Sequence, residues 1–153
     1  MQRAKLKRPR TFDEFCEQFT DKKIPHVKIG RRYFYDPLGH YEKYKNLDLF
    51  SVGIYLGEEK GEFFATTALV DLLSEDKKGA VVNNKAAWLY ICGRDVLMSG
   101  VIKPTTDDIT IVRDEEGNVL GFGKTMIKHD PRLRNALYIK NILDRGEYLH
   151  RER

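Results

Sequence analysis

The chain has 153 residues, enough for one large or two small domains, and with 41% hydrophobic and 11% aromatic residues it can bury a core, which excludes wholesale disorder. Charge is abundant, at 33%, but nearly balanced: 27 basic against 23 acidic residues, net +4. No apolar run approaches the ~20 residues of a membrane span, the basic stretch Met1–Arg10 lacks the apolar segment of a secretory signal, and Cys16 and Cys92 stand alone, which argues against a disulfide scaffold or cysteine zinc site and fits a reducing compartment.

Thr11-Phe12-Asp13-Glu14 is a capping-box pattern, and Phe12, Phe15, Cys16 and Phe19 then recur on one helical face. His26–Ile29 and Tyr33–Tyr35 flank Gly30-Arg31-Arg32 as a short hairpin, which Asp36-Pro37-Leu38-Gly39 ends. Tyr41 to Leu49 reads as short helix or coil. Leu49–Leu56 is rich in β-formers and bounded by Gly57, with Glu62–Thr66 as its antiparallel partner. Thr67 caps a helix through Leu73, with Leu69, Val70, Leu72 and Leu73 inward. The polar segment Ser74–Gly79 marks a boundary between residues 1–77 and 78–153. Beyond it come a short strand at Ala80–Val82, a helix over Lys85–Cys92 stopped by Gly93, and the stretch Val96–Ile102. A hairpin follows, Ile109–Val112 with Val119–Gly123, and then a last strand over Ala136–Ile139. Short strands, one helix and frequent glycines predict a small barrel-like C-terminal half, so the fold class is α/β (α+β).

Basic charge collects at the two ends. Residues 1–10 hold five basic residues and no acid, residues 11–77 nine basic against thirteen acidic, and Lys124 onward eight basic against four acidic. A polyanion partner explains this segregation, as does the charge-rich surface of a heat-adapted protein. Gly123-Lys124-Thr125 resembles the end of a phosphate-binding loop, but position 118 is Asn118 where that loop needs glycine, so Gly121 and Gly123 read instead as close-approach positions in a strand. His26, His40, His129 and His150 are scattered, and the acidic pairs Glu58-Glu59, Asp107-Asp108 and Glu115-Glu116 sit in turns. No metal site, no cofactor site and no catalytic constellation is expected. Lys124, Lys128, Arg132 and Arg134 interleave with His129 and Tyr138, cations for phosphate beside rings for unpaired bases. The helix Lys85–Cys92 is too apolar to enter a DNA major groove, so RNA is the better nucleic acid and DNA is not expected. Trp88 reads as core beside Ile91 and Cys92; its alternative role is a platform on which a base stacks.

Gly93-Arg94-Asp95-Val96-Leu97-Met98-Ser99-Gly100-Val101, followed by Gly117-Asn118-Val119-Leu120-Gly121-Phe122-Gly123, resembles the PUA domain, an RNA-binding module. With Arg8-Pro9-Arg10-Thr11, Ser51-Val52-Gly53, Thr67-Ala68-Leu69 and the ending Gly146-Glu147-Tyr148-Leu149, the chain is similar to the large-subunit ribosome-biogenesis factors of the nuclear import protein seven family, in its archaeal form. The resemblance implies an N-terminal α/β domain, residues 1–77, that docks other ribosome-assembly proteins, and a C-terminal PUA pseudo-barrel, residues 78–153, that binds ribosomal or U-rich RNA. It also implies an assembly factor rather than an enzyme, cytoplasmic, or nucleolar in a eukaryote.

The RNA-binding residues expected are Arg94 at the mouth of the groove, with Lys103, Lys124, Lys128, Arg132, Arg134 and Lys140 around it. Tyr33, Tyr35, Tyr41 and Tyr44 offer either a docking face or half-buried packing. Two rival functions stand beside this reading: a targeting subunit of an RNA-modifying enzyme, and a protein-interaction module that binds no RNA.

Overall fold

The computed structural model describes residues 8–75 and 77–146. The arm before Arg8, the ending Glu147–Leu149, His150, Arg151 and Arg153 lie outside the described residues. Contacts divide the chain into two units, Met1–Leu69 and Val70–Arg153.

In the first unit, β1 (Val27–Ile29), β2 (Arg32–Tyr35), β3 (Ile54–Lys60) and β4 (Glu62–Ala65) form an antiparallel sheet in chain order. Helix α1 (Phe12–Glu17) starts where the capping box requires. The Thr11 hydroxyl accepts the Glu14 N–H at 3.2 Å, and the Glu14 carboxylate accepts the N–H of Arg10, one residue before the cap, at 2.8 Å. The apolar face Phe12, Phe15, Cys16, Phe19 is buried as its spacing predicts. Phe12 stacks on Tyr33 of β2 at 4.7 Å and meets Phe63 of β4 edge-on at 5.6 Å, which fastens α1 to the sheet. Beside them the Glu59 carboxylate accepts from the Tyr33 hydroxyl at 2.6 Å and the Phe12 N–H at 3.2 Å. A short helix α2 (His40–Tyr44) is opened by Asp36, whose carboxylate accepts the N–H groups of His40 and Tyr41.

The strand expected over Leu49–Leu56 instead begins at Ile54 and runs through Gly57 to Lys60. Gly57 is a bulge residue, not a terminator. Tyr33 faces Gly57 while Phe34 faces Tyr55, and the intervening Leu56 is wholly buried. Helix α3 (Thr67–Ser74) is capped by Thr66, one residue earlier than expected. The division between units falls within α3. The polar Ser74–Gly79 segment that follows is no free linker, because Arg113 donates to the carbonyls of Ser74, Lys77 and Lys78.

The second unit is a six-stranded sheet built from β5 (Ala80–Val82), β6 (Val96–Leu97), β7 (Val101–Lys103), β8 (Ile109–Arg113), β9 (Val119–Thr125) and β10 (Leu137–Asp144), in the order β6-β10-β9-β8-β5-β7. Only β5–β8 is parallel. The last strand is longer than Ala136–Ile139 because glycines let β9 follow it closely. A Cβ on Gly123 would stand 2.4 Å from an Ile139 methyl, and one on Gly121 1.9 Å from the Leu143 carbonyl oxygen, so both are the close-approach positions expected. The two outer strands, β6 and β7, are joined by a 3-10 turn, Met98–Gly100. Its backbone donates to Ala136 and Arg134 ahead of β10, while the Gly100 carbonyl accepts from Asn83 after β5. Both sheet margins are thereby tied into a nearly closed pseudo-barrel.

Helix α4 (Asn84–Ile91) is capped by the Asn83 side chain, which accepts the Ala86 N–H at 2.9 Å. Tyr90 is fully buried and donates to the Phe122 carbonyl of β9 at 2.6 Å and to Leu143 of β10 at 3.2 Å. It joins Val82, Val96, Met98, Val112, Tyr138 and Ile139 in the core. Trp88, expected among them, is instead 64% exposed. The close-approach side of α4 is its alanine side: a Cβ on Gly100 would stand 2.6 Å from the Ala86 methyl, and Ala87 is buried. An indole does not fit that gap, so the helix turns Trp88 outward.

Candidate nucleic-acid interface

Each expected cation has a definite place in the second unit. Lys124 on β9 and Lys140 on β10 are directly opposite in the register, so the pairing of these strands starts two lysine side chains from neighbouring positions on one face of the sheet. Like charges at such a position repel unless an anion lies between them. Lys124 and Thr125 belong to a strand, as the rejection of a phosphate loop required. Arg94 follows the helix stop at Gly93. Its carbonyl accepts from the Asn141 amide group at 3.3 Å, and Asp95 accepts the Asn141 N–H at 2.8 Å, which ties this corner to the strand residue after Lys140. Arg134 is exposed in the β9–β10 connection, and its carbonyl accepts from Ser99 of the 3-10 turn at 3.0 Å. Lys128 is exposed in the same connection. Lys103 stands apart, at the end of β7 opposite Val81 of β5.

Arg94, Lys103, Lys124, Lys128, Arg134 and Lys140 make no ion pair among the described residues. Arg132 differs: its guanidinium grips Asp130 through Nε at 3.0 Å and Nη2 at 2.9 Å. Hydrogen bonding to Arg132 holds the Asp130 carboxyl below its ordinary range, and the same pair raises Arg132. Two other arginines are structural. Arg113 donates to four carbonyls, the fourth that of Gly117, and Arg145 pairs with Asp71. Among the rings, Tyr138 cannot serve as a stacking face. It is fully buried, and its hydroxyl exchanges hydrogen bonds with the Thr105 backbone at 3.0 Å. His129 lies edge-on to it at 5.7 Å.

Sequence reasoning missed the exposed side of α4. Lys85, Trp88, Leu89 and Cys92 all face solvent at helical spacing. The signal was the Ala86-Ala87 pair, which marks the side that approaches the barrel and so points the larger neighbours away.

In the first unit, Tyr33 is buried against Phe12 and is no docking residue, Tyr35 and Tyr41 are half-buried, and Tyr44 is exposed. Besides Tyr44, the exposed large apolar residues described there are Leu38, Leu47, Phe50, Ile54, Tyr55 and Phe64. The Arg32 guanidinium lies 3.8 Å over the Phe50 ring and donates to its carbonyl at 2.8 Å. Among the described residues no three His, Cys, Asp or Glu converge on a metal position, and no helix is long and apolar enough to cross a membrane.

The family model described as the UPF0113 PUA domain matches residues 78–153. Among solved structures, the chain is similar to a conserved PUA domain protein from Thermoplasma acidophilum, at 15% identity and a TM-score of 0.50, over 64% of this chain and 69% of that one. It is also similar to a hypothetical protein from the hyperthermophilic archaeon Pyrococcus horikoshii OT3, at 19% identity and a TM-score of 0.48, over 61% of this chain and 64% of that one. No curated protein matches the sequence.

Proposed function

We propose that this chain is a non-enzymatic, cytoplasmic RNA-binding factor of large-subunit ribosome assembly, akin to the nuclear import protein seven family. The PUA domain is a general RNA-binding fold. Its RNA, ribosomal or U-rich, binds the cations of residues 78–146, with Arg94, Lys124 and Lys140 as the centre, Lys128 and Arg134 on the connection beside them, and Lys103 at a separate edge. Arg132 contributes once Asp130 releases it. The exposed aromatics Phe50, Tyr55 and Phe64 support a protein-docking role for the first unit.

The observation that carries the RNA reading is the unpaired state of the cations. Six of the seven expected residues are left without an acidic partner among the described residues, and two of them are placed face to face. A surface that served only solubility would intersperse acids at such positions.

A salt titration of the full chain with a fluorescent U-rich oligonucleotide tests this. Four to six phosphate contacts to a single strand give log K falling against log salt with a slope of roughly −0.7 per phosphate, so about −3 to −4. Affinity that hardly changes between low and physiological salt refutes the electrostatic interface. Co-sedimentation with large-subunit precursors, and its loss on reversing Lys124 and Lys140 to Glu, tests the assembly role.

A further inference from the structure

We infer that Trp88 is a nucleobase-stacking platform, flanked by Lys85 and Arg94 as phosphate contacts, so that the exposed side of α4 holds unpaired RNA. The inference rests on the RNA reading above and deepens it. Trp88 is the chain's single tryptophan, and 64% of it is exposed on a helix whose other side is sealed onto the barrel. No aromatic ring and no cation covers its face among the described residues. Exposing so large an apolar surface to water is unfavourable in the free protein, and a partner that covers it relieves the exposure.

The surroundings decide what covers it. Lys85, Trp88, Leu89 and Cys92 fall at i, i+3, i+4 and i+7, one continuous stripe. Between Asn83 and Gly93 there is no acid. Lys85 precedes the indole by about 4.5 Å of helix rise, and Arg94 follows on the far side of Gly93. Neither cation is paired among the described residues, and the nearest acid in sequence, Asp95, is engaged with the Asn141 N–H at 2.8 Å. A protein-docking patch of this kind would be depleted of charge at its centre and broader than one Trp and one Leu. A single aromatic face between two free cations instead matches the alternation of base and phosphate along a single strand. Of the two partner chemistries, RNA is the one these residues fit.

Because Trp88 is the sole tryptophan, intrinsic fluorescence reports on this position alone. Adding U-rich RNA to the full chain is expected to quench the emission in step with binding seen by anisotropy. An oligonucleotide of equal length with abasic sites is expected to bind through its phosphates without quenching. Trp88→Phe should retain most of the affinity, whereas Trp88→Leu, which keeps an apolar surface but no aromatic face, should lose about 5- to 140-fold, the range for one stacked base. Both variants should melt with the parent, since the side chain is exposed. Binding by the parent with unchanged emission, or equal affinity of the Leu and Phe variants, overturns the platform while leaving the cationic interface standing. No binding by the parent overturns the RNA reading itself. Loss of a protein contact in the Leu variant, with RNA affinity intact, assigns the stripe to a protein and overturns the inference.

Discussion

Replacing Lys124 and Lys140 by Ala, singly and together, separates their role in the fold from their role in binding. The two residues are opposite one another on β9 and β10. Directly opposed strand residues have Cα atoms ~5 Å apart, and ammonium groups ~7 Å apart in water repel by about 0.6 kcal/mol, less once salt screens them over its ~8 Å Debye length. Either single substitution should therefore leave thermal stability unchanged or raise it by up to about 0.5 kcal/mol, and the second should add almost nothing further. RNA affinity should move the other way. Each lost phosphate contact flattens the log K against log salt slope by about 0.7, so the double variant should lose about 1.4 units of slope. Calorimetric melting of the four proteins and salt-dependent anisotropy give both quantities. A double variant whose slope equals the parent's refutes the phosphate role of the pair. Destabilisation above about 1 kcal/mol would show that the lysine stems pack on the barrel and are not merely borne by it.

Asp130→Ala frees the Arg132 guanidinium from its carboxylate partner. It should tighten RNA binding by less than about fivefold, because the pair is exposed, and unchanged or weaker binding in the same anisotropy assay would exclude Arg132 from the interface. Tyr90→Phe removes the hydroxyl that serves the Phe122 and Leu143 carbonyls; urea denaturation should find the second unit weaker by about 1–3 kcal/mol, the cost of leaving a buried acceptor unsatisfied. Glu59 should contribute to the acid sensitivity of the first unit. Burial pushes its carboxyl up, but hydrogen bonds from the Tyr33 hydroxyl and the Phe12 amide, with Lys28 at 3.6 Å, outweigh that and hold it below the ordinary value. A depressed carboxyl contributes fully above its unfolded value of about 4.3 and loses that contribution as pH falls through the folded one. Glu59→Gln should flatten stability against pH below about pH 4, measured by denaturant unfolding from pH 7 to pH 3, and a parent-like acid limb would assign the sensitivity elsewhere.

Local chemistry made much of this chain legible. The Thr11–Glu14 box and the Phe12, Phe15, Cys16, Phe19 spacing specify α1 because capping and burial act within a few residues. Asp114 and Gly117 close the β8–β9 hairpin through bonds inside the loop. What stayed illegible depends on residues distant in sequence. Whether Gly57 ends a strand or bulges it is settled by β2, across the sheet. Which side of α4 is buried is settled by Gly100, which lets Ala86 approach and leaves no room for Trp88. Tyr138 has the composition of a stacking residue, but Thr105, far away in the chain, supplies the backbone partners that make burying its hydroxyl tolerable. Among the cations, residue type alone does not distinguish Arg132, held by Asp130, from Arg134 two positions later.

The place of β10 between β6 and β9 also sets a schedule for folding. Every other strand described in the barrel precedes Leu137–Asp144 in the chain, and until that strand is in place β6 has no neighbour and β9 is an open margin. Until β10 docks, the second unit carries two unpaired rows of backbone groups, and among the described strands only that one joins them. Such closure between distant segments is slow relative to helix or hairpin formation. A chain in which β10 has not yet docked would therefore present an adhesive intermediate, and docking of that strand, rather than folding of the first unit, would be the moment at which the second unit becomes safe from aggregation.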